Sequence, residues 1–243
     1  MIPLRRLFSI AAIVALGLFA PSIATPAAAS WQAVLVAGDR AEPVFDNGAA
    51  AFYNRLIGFG VPAASIHRLS ANGGSADPAL EPATASRVLQ RIASLQPGPG
   101  DRCLVFITSH GQRGRGIWLA AGGEYLQPAP LAQALSLGCG RVPTVVIVSG
   151  CYSGTFAGPA MRAPNRVILT AARGDRPSFG CQADRTYTVY DECLLDAIPH
   201  SATWRNVAEQ TQTCVSRRET EMRVQPSQPQ VSVGAAVQAL SVR

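Results

Sequence analysis

Residues 103–112, CLVFITSHGQ, and residues 144–154, TVVIVSGCYSG, decide how this chain folds. Each is a run of aliphatic and aromatic residues with no polar alternation, closed by a small polar turn. Strands that are apolar on both faces belong to a parallel sheet covered by helices on both sides. The surrounding segments alternate in kind. Further strands are predicted at Gln32–Ala37, Ser65–Leu69, Ile117–Ala120 and Arg166–Ala171, with an edge strand at Gln230–Gly234. Apolar residues at helical spacing predict helices over Asp46–Phe59, Pro82–Leu95, Pro128–Leu137, Tyr190–Ile198 and Thr203–Arg217. This alternation gives an α/β sandwich around a mostly parallel central sheet. Ligands of open α/β sheets gather beyond the carboxyl ends of the strands. Chemistry is therefore expected just after residues 37, 108, 149 and 171.

Two residues at those ends form a pair. His110 follows one buried strand and Cys151 follows the other, at corresponding ends. Neighbouring strands lie about 4.8 Å apart, so side chains just past their ends face one gap. A thiolate is the reactive nucleophile, and a nearby imidazole promotes it or protonates a leaving amine. Gly111 lets substrate backbone approach. The amides of Gly111 and Cys151 are placed to stabilise a tetrahedral oxyanion. Gly150 and Gly154 permit a tight turn into a helix whose N-terminus would favour the thiolate. His67, in "SIHRLS", reads as an ordinary partly buried histidine.

Composition bounds the setting. The chain has 243 residues, 48% hydrophobic and 15% charged, enough for one sizeable core with no sign of disorder. Arg5 and Arg6 precede an apolar run from Leu7 to Ala20, then small residues ending at Ala29. That pattern predicts a secretory signal peptide over residues 1–29 and one domain over residues 30–243. The run is short for a membrane span, which needs about 20 apolar residues. An exported protein is expected, periplasmic or secreted, with no stable membrane anchor after cleavage. The net charge is +6, carried by scattered arginines with no lysine, which argues against nucleic-acid binding.

Six cysteines in an exported chain invite disulfides. With Cys151 as nucleophile, Cys103, Cys139, Cys181, Cys193 and Cys214 remain, so at least one is free. Cys103 and Cys139 both stand near the starting edges of buried strands and are a candidate pair, away from the site. The cysteines show no zinc-type spacing, so neither metal nor cofactor is expected.

The blocks FITSHGQRGRGIWL (106–119) and VVIVSGCYSGTF (145–156) resemble the two signature blocks of the legumain-like C13 family of cysteine peptidases, in the caspase-like clan. VLVAGD (34–39), FDNGAAAFYNRLIGFGV (45–61) and ILTAARGDRPSFGCQADRTYTVYDECLL (168–195) are similar to its first strand, first helix and the segment after the nucleophile. The resemblance implies a caspase-like three-layer sandwich and an endopeptidase acting on peptides or proteins through a thioester. It implies His110 and Cys151 as the catalytic pair, with Gly111 in the oxyanion hole. It also implies a substrate pocket built from residues after the first strand, Arg40 or Asp46, with Ser178 and Asp191. Two carboxylates, Asp46 and Asp191, would repel an aspartate side chain before the cut bond and accept asparagine or arginine. Tyr152 stands where legumains tend to carry an acid, and the chain has the look of a small bacterial branch.

Three other readings use the same residues. An α/β-hydrolase would take Cys151 as nucleophile and His200 as base, with Asp184, Asp191 or Asp196 as the acid. It leaves His110–Gly111 unused. A non-catalytic binding protein on this scaffold would be expected to lack one member of the pair. A transamidase or ligase would use the same acyl-enzyme, with an amine replacing water.

Overall fold

The computed structural model describes residues 30–74 and 77–243. The expected signal peptide lies outside the described residues. The strands are β1 (Trp31–Ala37), β2 (Ile66–Ser70), β3 (Glu81–Pro82), β4 (Arg102–Thr108), β5 (Gly111–Gln112), β6 (Gly116–Leu119), β7 (Glu124–Leu126), β8 (Thr144–Ser149), β9 (Arg166–Thr170) and β10 (Gln230–Val233). The helices are α1 (Pro43–Gly58), α2 (Ala85–Ala93), α3 (Pro128–Gly138), α4 (Val189–Ala197) and α5 (Trp204–Met222).

Seven strands make the central sheet in the order β10-β9-β8-β4-β1-β2-β3. All neighbours pair in parallel except the edge strand β10, which runs antiparallel to β9. The unbroken apolar runs have a direct structural meaning. Successive side chains point to opposite faces, and both faces are buried. Leu35, Leu104, Phe106, Ile147 and Leu169 pack with Phe52 of α1, Leu194 of α4 and Trp204 of α5. Val36, Val105, Ile107, Val148 and Ile168 pack on the other side with Ile92 of α2 and Leu135 of α3. The result is a three-layer α/β sandwich. Burying each such side chain contributes about 1.5–3 kcal/mol, so neither helix layer is dispensable.

Several boundaries differ from the expected ones. Helix α1 starts at Pro43, not Asp46, because proline suits the first helical position, where no N–H is needed. Asp46 therefore stands inside the first turn and does not cap the helix. Helix α2 begins only after Thr84, whose hydroxyl accepts from the Arg87 N–H. Helix α5 runs on to Met222 and stops at Arg223, which takes a left-handed conformation. Strand β6 was expected alone, but it sits in a small antiparallel sheet with β5 and β7. Gly111–Gly116 masks that hairpin in the sequence.

Two disulfides clamp the layers. Cys103 at the start of β4 bridges Cys139 at the end of α3, with Cα atoms 5.9 Å apart. This is the pair suggested by their position at the edge of the sheet. Cys193 of α4 bridges Cys214 of α5, with Cα atoms 5.6 Å apart. In the chain-entropy view each loop closure contributes about 3–4 kcal/mol. Cys151 and Cys181 are free thiols.

Candidate active site

Strand register builds the site. Thr108 of β4 lies opposite Ser149 of β8, and the Ser109 N–H extends the ladder by donating to the Ser149 carbonyl at 3.0 Å. One residue later the two chains separate. The His110 carbonyl accepts from the Trp118 N–H at 2.9 Å, which commits that chain to the β5–β6 hairpin. After Cys151 the other chain turns through Tyr152, held at φ 59°, whose N–H donates to the Arg176 carbonyl at 2.8 Å. His110 and Cys151 thus leave adjacent strands at equivalent positions, and both line one narrow cavity. Phe45, Ser178, Phe179 and Cys181 complete most of its wall.

The Cys151 sulfur is held by the segment after β9. The Ser178 N–H donates to Sγ at 3.3 Å, and the thiol reaches the Ser178 carbonyl at 3.5 Å. An N–H aimed at sulfur stabilises negative charge there. The Phe45 ring meets the His110 imidazole edge-on, centroids 5.0 Å apart, and limits its rotation. Among the described residues no hydrogen bond joins His110 to Cys151. Such contacts are often loose before substrate binds.

Glycines let the two backbones touch. A Cβ on Gly111 would run into the Cys151 carbonyl oxygen, and one on Gly150 would lie 2.6 Å from the Ser109 carbonyl oxygen. No larger residue fits between these turns. The expected helix after Cys151 does not form. Ser153–Ala157 is a short 3₁₀ segment of five residues, because Tyr152 in the left-handed region breaks the entry to an α-helix. Cys151 therefore does not stand at the N-terminus of a long helix.

The four expected substrate residues do not share one pocket. Ser178 lines the cavity with Cys151. Asp46 lines a separate cavity of about 350 Å³ beyond β1 and β2, with Asn47, Ser70 and Asn72. Its carboxylate accepts from the Ser70 hydroxyl at 2.6 Å and the Asn72 amide at 2.8 Å. Arg40 is exposed, and its guanidinium donates to the Ala71 carbonyl at 3.4 Å, outside both cavities. Asp191 is fully buried and lies in the wall of neither. It stands in the first turn of α4 and turns inward, accepting from the Thr108 hydroxyl at 2.7 Å. The expected two-carboxylate pocket is thus corrected to one carboxylate facing a cavity and one beneath the site.

Two histidines fall away from the chemistry. His200 is exposed in a short turn after α4, at the end of that helix remote from the cleft. It cannot serve Cys151 as the α/β-hydrolase reading requires. His67 is half-buried on β2, and burial lowers its pKa, helped by nearby Arg91. Phe45, Phe179, Cys181 and Thr188 also line the cleft and were not identified from sequence. Only the odd number of cysteines hinted at Cys181. Another concavity, about 610 Å³, runs along α5 and is lined by neither histidine nor cysteine. Among the described residues no cluster of His, Cys, Asp or Glu could hold a metal ion, and no helix is long and apolar enough to cross a membrane.

Residues 83–227 match the model of the peptidase C13 family. Among solved structures the chain is similar to caspase-1 from Spodoptera frugiperda, at TM-score 0.60 and 12% identity, over 84% of this chain and 86% of that one. No curated protein sequence matches the chain.

Asp191 yields a prediction about stability. Burial raises its pKa, opposed by the hydroxyls of Thr108, Ser149 and Thr188. One carboxylate oxygen, Oδ1, is buried without a hydrogen-bond partner among the described residues. A raised folded-state pKa favours folding below the ordinary carboxylate range, and that contribution is lost as pH rises through the folded value. Asp191→Asn does not titrate and retains an acceptor for Thr108. Its stability relative to wild type should therefore increase as pH rises from about 3 to 7, measured by urea unfolding at each pH. A relative stability that falls over this range would mean that the carboxylate is ionised and well satisfied.

Proposed function

The chain belongs to the peptidase C13 family of cysteine-type peptidases, and from that premise we propose an exported endopeptidase that cleaves through a thioester on Cys151 with His110 as its acid and base. One observation carries this reading. His110 and Cys151 leave adjacent parallel strands at equivalent positions past the Thr108–Ser149 pair and line the same cavity. The likeness to a caspase supports the fold alone.

The steps follow from these positions. The Cys151 sulfur attacks the scissile carbonyl, and negative charge develops on its oxygen. The amides of Gly111 and Cys151 supply the oxyanion hole, and Gly111 is packed directly on the Cys151 backbone. His110 protonates the departing amine, leaving a thioester. It then takes a proton from water, which attacks the thioester and frees Cys151. Residues 1–29 serve as the export signal in this account, and two disulfides among the described residues accord with an oxidising compartment.

Cys151→Ala and His110→Ala should each lower kcat/KM by about 10³-fold or more while leaving a folded protein. His200→Ala and His67→Ala should stay within about threefold of wild type, as expected for substitutions away from a site. Loss of activity in His200→Ala with retention in His110→Ala would restore the hydrolase arrangement.

Substrate choice is proposed to rest on Asp46, which lines the separate 350 Å³ cavity and follows Phe45 of the cleft wall in sequence. A carboxylate there disfavours aspartate before the cut bond and accepts asparagine or arginine. Fluorogenic peptides differing only at that residue test this at neutral pH. Fastest cleavage after aspartate would remove Asp46 from the pocket.

A further inference from the structure

Cys151 and Cys181, the two cysteines left outside the disulfides, are both half-buried and both line the active-site cavity. The path of the chain explains the juxtaposition. Ser178 is tied to the Cys151 sulfur by its N–H. The Phe179 carbonyl accepts from the Val189 N–H at 3.0 Å, which pins the next residue against the start of α4. Gly180 then takes φ +92°, where a Cβ would lie 2.6 Å from the Val189 nitrogen. This reversal turns the following residue back to the cavity. Cys181 packs beside Ala37, Val44 and Phe45, the last of which also flanks His110. Residues 171–188 contain no helix or strand, so a short approach of sulfur to sulfur disturbs no ladder.

The two thiols are chemically unequal. Burial raises the pKa of Cys181, and the charges of Cys151 and Glu42 push it the same way. Cys181 therefore rests protonated and does not compete with Cys151 for electrophiles. A reactive thiol with a second, quieter thiol in the same cavity is the arrangement that forms a reversible disulfide under oxidant.

We propose that Cys181 is a resolving thiol, which closes a disulfide onto oxidised Cys151 and so makes peroxide inactivation of the peptidase reversible. This rests on Cys151 being the reactive thiol of the proposed function. The Cys151 thiolate attacks one oxygen of hydrogen peroxide, the O–O bond breaks, and hydroxide leaves and takes up a proton as water. Cys151 is then a sulfenic acid, oxidised by two electrons. The Cys181 sulfur loses its proton and attacks the Cys151 sulfur. The S–S bond forms, the S–O bond breaks, and a second water leaves. Two thiols and one peroxide give one disulfide and two waters. A dithiol reductant returns both thiols by exchange. Without Cys181, the sulfenic acid remains open to further peroxide and passes to sulfinic acid, which thiols do not reduce.

The test treats the full chain with hydrogen peroxide and maps peptides without reduction. Wild type should yield a peptide pair linked through Cys151 and Cys181, in parallel with loss of activity. Dithiothreitol should restore nearly all of its starting activity. Cys181→Ser should also lose activity, but recover several-fold less of its own starting value, with Cys151 found as sulfinic or sulfonic acid. Oxidised Cys151 in wild type with no linked peptide overturns the proposal. So does equal recovery in Cys181→Ser. The linked peptide is scored by mass alone, so it stands or falls apart from the role of Cys151, which the reduced Cys151→Ala variant reports.

Discussion

The pairing of β4 with β8 is the constraint on which the site depends. Thr108 faces Ser149, so the next residues, Ser109 and Gly150, still run side by side, and His110 and Cys151 emerge together. A slip of one residue would turn every side chain of a strand to the opposite face. Both faces here are packed by helices, and both runs are fully buried. The hydrophobic core therefore fixes the register, and the register fixes the distance between imidazole and thiol.

Close packing then aims the two groups. The turns after β4 and β8 touch through Gly111, Gly150 and the Ser109 carbonyl, with no room for side chains between them. Phe45, from the first turn of α1, holds His110, and Ser178, from the segment after β9, holds the sulfur. Beneath them Asp191 ties the start of α4 to Thr108 on β4. Four separate elements thus converge on one cleft, and the Cys103–Cys139 bridge clamps the opposite end of β4.

The strands and the pair were legible because their signals are local. CLVFIT and TVVIVS announce burial on both faces, and His110 and Cys151 follow them directly. The pocket was not legible, because it is made by side-chain direction. Asp46 and Asp191 look alike in sequence, yet one faces a cavity and the other is sealed under α4. Pro43 moved the start of α1 by three residues and with it the place of Asp46 in the helix. The helix expected after Cys151 failed because Tyr152 takes a left-handed conformation that composition does not reveal. Cys181 enters the cleft through a turn at Gly180, a non-local placement that only the fold shows.

The central claim is that Cys151 carries the acyl group during turnover. It is tested most directly by mixing the reduced protein with a peptide activated ester, quenching in acid and mapping the adduct by mass. The acyl group should be found on Cys151, as a thioester released by hydroxylamine. An adduct on Ser149 or Ser153 with Cys151 unmodified would contradict it.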